Sequence, residues 1–343
     1  MLAKMLINES PKIVGHLTNG TPVYGYSIKN SQGMCLNVIN YGATVTNLFV
    51  PVDNGTTDVV LGFNSLEDYV NSFELGGSPY FGAIVGRVAG RIANAQFSLN
   101  EIPVSLNANF GKHQLHGGFE GFSQKVWEVK SIAPNKITFY YLSKHGEEGY
   151  PGNLQTNLTY EITEDNSWNI TIEAICDADT TVNFTQHSYF NLDDKSNDLS
   201  NHKLRLQATQ FVETNDMIPT GNFVEVKNTD FNFNEFAKVP TSIDTSFVNA
   251  TINECVACLQ CNSNKLQLAV YTNQPSTHIY VGGKVSEALV TKNYKNYNSY
   301  SGICFETQFF PDAVHHPNFP SIILKKDEMF THQTSYQFSS FKN

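Results

Sequence analysis

The chain has 343 residues and a net charge of −10 at pH 7, and an acidic surface repels phosphate backbones, so nucleic acid is excluded as a favoured partner. Hydrophobic residues make up 41% and charged residues 16%, which supports a sizeable core and excludes global disorder. Neither a membrane span nor a signal peptide is read: no apolar run approaches membrane thickness, and Met1 to Lys12 lacks the apolar stretch of a leader.

In chain order, short alternating segments dominate. Met34–Tyr41, Lys136–Leu142, Leu154–Thr163, Trp168–Cys176, Lys203–Phe211, Lys265–Thr272 and His278–Gly282 read as strands. Turn signals stand between them at Asn19-Gly20, Asp53-Asn54-Gly55, Pro151-Gly152 and Gly282-Gly283. Ser65 to Ser72 reads as a short helix, with Ser65 as N-cap and Asp68 at N3 in the place of the usual Glu or Gln. No linker, charge block or fixed-period repeat divides the chain. The expectation is an all-β protein, a sandwich or barrel, folded as one domain over residues 1–343.

Four segments set chemically capable side chains beside glycines or within apolar strands. Gly86-Arg-Val-Ala-Gly-Arg-Ile92 holds Arg87 and Arg91, which either face a ligand or lie on a surface loop. In His113-Gln-Leu-His-Gly-Gly118, Gly117 and Gly118 permit close approach or positive φ and would set His116 at a pocket wall; the His113/His116 spacing alone is a weak metal signal. Within Asn183–Leu192, an extended backbone puts His187 and Tyr189 on one face. A histidine there is either a proton donor and acceptor or a hydrogen-bonded core residue. In Gly302–Asp312, Glu306 and Gln308 would point opposite to Phe305, Thr307 and Phe309. A carboxylate embedded in an apolar strand is costly unless it is paired or functional.

Six cysteines are scattered through the chain. Cys255, Cys258 and Cys261 carry two overlapping C-x-x-C spacings without a fourth ligand nearby, and read as buried free thiols. The setting expected is reducing and cytoplasmic.

Taken together and in order, Asn40–Ala43, Tyr80–Ile92, Leu115–Gly118, His187–Leu192, Ser242–Thr245, Phe305–Gln308 and Pro311–Pro320 resemble the aldose 1-epimerase (galactose mutarotase) family over nearly the whole chain. The resemblance implies a single large β-sandwich and an isomerase acting on an aldohexose with neither metal nor cofactor. It implies proton transfer by Glu306 as base and His187 as acid, and hydroxyl binding by Arg91, His116 and Asp244. Tyr189 and Gln308 join the substrate-binding candidates through the strand-face argument. Two departures from the family pattern stand out. Gly90 replaces an Asn before the second arginine, and Ser242-Ile-Asp244-Thr245 replaces Gly-x-Asp-His. The rivals are an epimerase for hexose 6-phosphates, for which Arg87 is the nearby cation, and a sugar-binding protein without catalysis. A monomer and a homodimer are equally compatible with the sequence.

Overall fold

In the computed structural model, residues 11–53, 55–74, 78–282, 290–292 and 297–342 are described. Three of the segments named above touch residues outside that set: the amino-terminal stretch up to residue 10, Asn54 of its turn, and Gly283 of the Gly282-Gly283 turn.

Period-2 alternation builds the largest sheet. Along Leu154–Ile162 the buried positions are Leu154, Thr156, Leu158, Tyr160 and Ile162. Ser167–Cys176 pairs with this strand in antiparallel register and buries Trp168, Ile170, Ile172, Ala174 and Cys176. Branched and aromatic side chains at every second position suit a pleated, half-buried surface. Among the described residues these strands belong to a nine-stranded antiparallel sheet that runs from Glu128–Ala133 to Ala237–Lys238.

Two further sheets cover its buried face. A six-stranded sheet runs in the order Tyr189–Phe190, Ile303–Gln308, Ser276–Val281, Ile243–Asn249, Ala208–Asn215, Ile218–Glu225. A five-stranded sheet is made from the consecutive strands between Lys12 and Asp58. Side chains from all three meet in one core. Trp168 is fully buried, with ring centroids 5.4 Å from Tyr160 and 5.2 Å from Tyr336. The Tyr336 hydroxyl donates to the Phe305 carbonyl at 2.9 Å, and the Tyr160 hydroxyl donates to the Ala43 carbonyl at 3.0 Å. Each buried tyrosine thus fixes a neighbouring sheet with the polar end of an otherwise apolar side chain.

The expected helix is present as Leu66–Glu74. Ser65 caps it: its Oγ accepts from the Asp68 N–H at 3.1 Å and donates back to Asp68 Oδ2 at 2.6 Å. Among the described residues no helix is long and apolar enough to cross a membrane.

One expected strand divides in two. Lys203–Phe211 reads as continuous, yet His202–Leu206 lies in the nine-stranded sheet and Ala208–Asn215 in the six-stranded one. At the break, the Gln207 N–H donates to the Val256 carbonyl at 2.9 Å, and the chain crosses from one layer to the other. Alternating hydrophobicity is the same in either sheet, so the pattern does not reveal the crossing.

Candidate active site

The strand Ile303–Gln308 is buried at every position, with one face on the core and one on a cavity. Phe305 packs in the core, and Thr307 Oγ1 lies 2.6 Å from Thr334 Oγ1 of the nine-stranded sheet. Glu306 and Gln308 face the other way, as alternation requires.

They open into a cavity of about 180 Å³. Arg91, His116, His187, Tyr189, Asp244, Glu306 and Gln308 all line it. Residues far apart in sequence converge there through strand pairing. Arg91 pairs with Leu115, which sets its guanidinium beside His116. Tyr189 pairs with Cys304, which brings the His187 segment against the Glu306 strand. A separate cavity beside Asp58, Asp193 and Lys292 measures about 30 Å³, the scale of a water molecule.

At the centre, His187 Nε2 lies 3.5 Å from Glu306 Oε1, and both side chains are almost fully buried. His187 Nδ1 stands 3.7 Å from Cys304 Sγ. Burial pushes the Cys304 thiol well above its ordinary range, so it stays protonated behind the imidazole. The Tyr80 and Tyr189 rings stack on His187, with centroids at 5.8 and 5.3 Å and interplanar angles of 25° for both. They hold the ring plane.

His116 is fixed by backbone. Its Nδ1 accepts the Gly90 N–H at 3.2 Å, which leaves the ring proton on Nε2. Burial, and then the charges of His187 and Arg91, push its pKa well below the ordinary value, so it is a neutral donor. Gly117 makes the turn possible: its φ is +87°, and a Cβ there would stand 2.0 Å from the Gly86 carbonyl oxygen. Gly90, one of the departures noted in the sequence, has φ +77° and contributes through its own N–H and carbonyl, both bonded to His116.

Further polar groups surround this centre. Arg91 Nε and Gln308 Oε1 are buried without a hydrogen-bond partner among the described residues. Such atoms are costly unless a ligand completes them. The Arg91 guanidinium also sits 5.1 Å over the Phe110 ring. Asp244 stands at the mouth with its side chain 38% exposed, and His278 Nε2 donates to its Oδ1 at 2.9 Å.

The cavity therefore holds an imidazole facing a carboxylate, a neutral imidazole donor, a guanidinium, an amide and a second carboxylate paired with a third imidazole. A polyol needs donors and acceptors in this mixture. Among the described residues, His116, His187 and Glu306 also present ligand-type atoms within 4.8 Å of one another, a set that could hold a metal ion.

The comparisons decide the family. The aldose 1-epimerase family profile matches residues 24–337. A galactose mutarotase of Bos taurus is 33% identical over 97% of this chain and 99% of its own length. An aldose 1-epimerase of Haemophilus influenzae is 34% identical over 93% of this chain and 97% of its own. A solved GalM/aldose epimerase homologue from C. elegans superposes with a TM-score of 0.86 at 27% identity, over 92% of this chain and 98% of that one.

The chain belongs to the aldose 1-epimerase family.

Within this epimerase several side chains missed by sequence reasoning join the site: Ser78, Tyr80, His278 and Tyr280 all line the cavity. His278 had a signal, a histidine inside an alternating strand; Tyr80, at φ +53° outside any strand, had only its place at the head of the Tyr80–Ile92 segment. Arg87 is elsewhere. It is 1% exposed, and its guanidinium donates to the carbonyls of Pro151 (2.8 Å) and Gly152 (3.2 Å) and to Thr180 Oγ1 (3.1 Å). It ties loops together and faces no ligand. His113 also stays apart from His116, accepting the Asn94 N–H at 3.1 Å.

All six cysteines are free. A bulge near Val256 brings Cys255 Sγ to 3.3 Å from Cys258 Sγ. Cys261 instead contacts Ser263 Oγ at 3.0 Å within the core, so the three thiols do not converge.

Proposed function

We propose that this epimerase interconverts the α and β anomers of free aldohexoses such as galactose and glucose, with Glu306 as general base and His187 as general acid. The observation that carries the reading is the placement of the two groups 3.5 Å apart in one cavity. The anomeric hydroxyl and the ring oxygen share a single carbon, so the base and acid that serve them must be close neighbours.

The steps balance as two proton transfers. The Glu306 carboxylate takes the O1 proton as the C1–O5 bond breaks, while imidazolium His187 protonates O5. The open aldehyde turns about C1–C2. O5–H then adds to the other face of C1, His187 takes back its proton, and Glu306 returns a proton to O1. Each general acid or base contributes about 10²–10⁴-fold. His116 Nε2–H and Arg91 donate to sugar oxygens; Asp244 and Gln308 Oε1 accept from hydroxyls; Tyr189 backs the His187 ring.

The placement of Arg87 supports a free sugar over a sugar phosphate as substrate. With the Arg87 guanidinium bonded to Pro151, Gly152 and Thr180, no clamp for a 6-phosphate remains at that position. Six free thiols support a reducing, cytoplasmic setting. A core shared by all three sheets supports residues 1–343 acting as one domain, and one chain supplies every lining residue named, as a monomer or within a homodimer.

Polarimetry of freshly dissolved α-galactose, α-glucose and α-glucose 6-phosphate tests this. Faster decay of rotation is expected for the free sugars; acceleration confined to the 6-phosphate, or none, overturns the reading.

A further inference from the structure

The cavity holds a third histidine, and its surroundings differ from those of the other two. His278 lies on the central strand Ser276–Val281, between the Glu306 strand and the Asp244 strand. Its direct cross-strand partners are Glu306 on one side and Ser246 on the other.

The ring turns toward Asp244. Nε2 donates to Asp244 Oδ1 at 2.9 Å, and Nδ1 lies 2.8 Å from Ser246 Oγ. Both ring nitrogens are engaged, so neither is left to meet a sugar hydroxyl. His116 is held through Nδ1, with no partner for its Nε2 among the described residues, and His187 Nε2 stands 3.5 Å from Glu306 Oε1. Asp244 is the more exposed of the pair, 38% against 13% for His278, and it meets His278 through Oδ1. A carboxylate that exposed explores several rotamers unless something holds it.

We propose that His278 is a positioning residue: clamped by Ser246, it holds the Asp244 carboxylate in the orientation that accepts a sugar hydroxyl. This rests on the aldohexose reading above. The role is orientation and charge at one remove from the substrate, the kind of support that outer groups give to ligand-contacting ones.

The electrostatics agree. The groups facing His278 are Asp244 and Ser246 from one neighbouring strand, Glu306 from the other, Tyr280 beside it on its own strand, and Arg91 and His116 across the cavity. Burial works against charge on the ring, but the Asp244 hydrogen bond and the Glu306 and Asp244 charges outweigh it, with Arg91 opposing; His278 is raised above its ordinary value. Burial likewise works against charge on Asp244, and the His278 bond and charge, with Arg91, hold that carboxyl down to about 2.

The test is steady-state kinetics on galactose from pH 5 to 9 with the wild type, H278A, H278Q, S246A, D244N and the double variant D244N/H278A. H278A is expected to raise KM about 10-fold with kcat changed less than about 3-fold, as for loss of one charge-assisted hydrogen bond. H278Q recovers part of that loss, because its amide donates to Asp244. In the wild type KM climbs on the alkaline side as His278 loses its proton; in H278A that climb is gone. The double variant is no worse than D244N, because the two residues act as a unit.

An unchanged KM in H278A, a retained alkaline climb, or additive losses in the double variant overturns the proposal. If H278A fails to fold, S246A and H278Q decide: both raise KM, S246A about 3-fold with a Tm near wild type, and wild-type KM in both overturns it. A wild-type protein that does not accelerate anomer exchange at all sinks the aldohexose reading instead, which separates the two failures.

Discussion

Glu306 Oε1 and His187 Nε2 face each other at 3.5 Å, outside the range of a strong hydrogen bond, on backbone segments that pairing of Tyr189 with Cys304 draws together. A tight ion pair would satisfy both groups and leave little for a ligand. At this separation each group can engage an oxygen of its own, which is what two concerted proton transfers at one carbon require.

Arg87 is a structural arginine, set apart from the cavity that Arg91 lines. Its guanidinium bonds the carbonyls of Pro151 and Gly152 deep in the protein. Arg87→Met should therefore destabilise by more than about 3 kcal/mol, since buried carbonyls lose charge-assisted partners. Urea unfolding gives the stability, and saturation kinetics on galactose should show KM unchanged in whatever folds. A KM effect with full stability would return Arg87 to the binding site.

Gly117 sets His116. A Cβ at that position stands 2.0 Å from the Gly86 carbonyl oxygen, at φ +87°. Gly117→Ala should cost about 1–3 kcal/mol of stability, from strain at an αL position and backbone displacement. Because the shift carries His116 with it, KM should rise in the folded fraction. Thermal melting and kinetics together check this; a variant equal to wild type in both contradicts the role.

Acid should weaken the fold through three histidines whose charged form burial disfavours, His116, His202 and His332, whereas His278, which is raised, acts in the opposite sense. Burial lowers His116 well below its ordinary value, His202 to about 4 and His332 to about 3. Below the unfolded value near 6.5 the unfolded chain binds protons that these folded rings do not, so stability falls as pH falls. The stability they supply is complete above about 6.5 and is lost progressively down to the folded values. The size is on the order of 1–2 kcal/mol per group at pH 5. The urea midpoint should drop between pH 7.5 and 5, and less so in His332→Gln. A midpoint that holds or rises over this range contradicts the assignment.

How much was legible depended on whether the deciding contact was local. Period-2 alternation announced Leu154–Ile162 and Ser167–Cys176, because burial of one face is written in consecutive residues. The Ser65 cap was equally legible, three residues from its partner Asp68. Arg87 was not: its acceptors lie more than fifty residues away, and no spacing near Gly86 encodes them. His278 was visible only as part of a strand, since its meaning comes from register with Ser246 and Glu306 on two other strands. The division of Lys203–Phe211 was hidden for the same reason, because both sheets ask for the same alternation.

The central claim is that Glu306 and His187 carry the proton transfers. The most direct measurement is the rate of rotation change of fresh α-galactose with Glu306→Gln and His187→Asn, each shown by circular dichroism and melting to be folded. The account predicts a fall in kcat of about 10²–10⁴-fold in each, with KM little changed and the double variant hardly worse than the poorer single one. A folded Glu306→Gln enzyme working near the wild-type rate would contradict it.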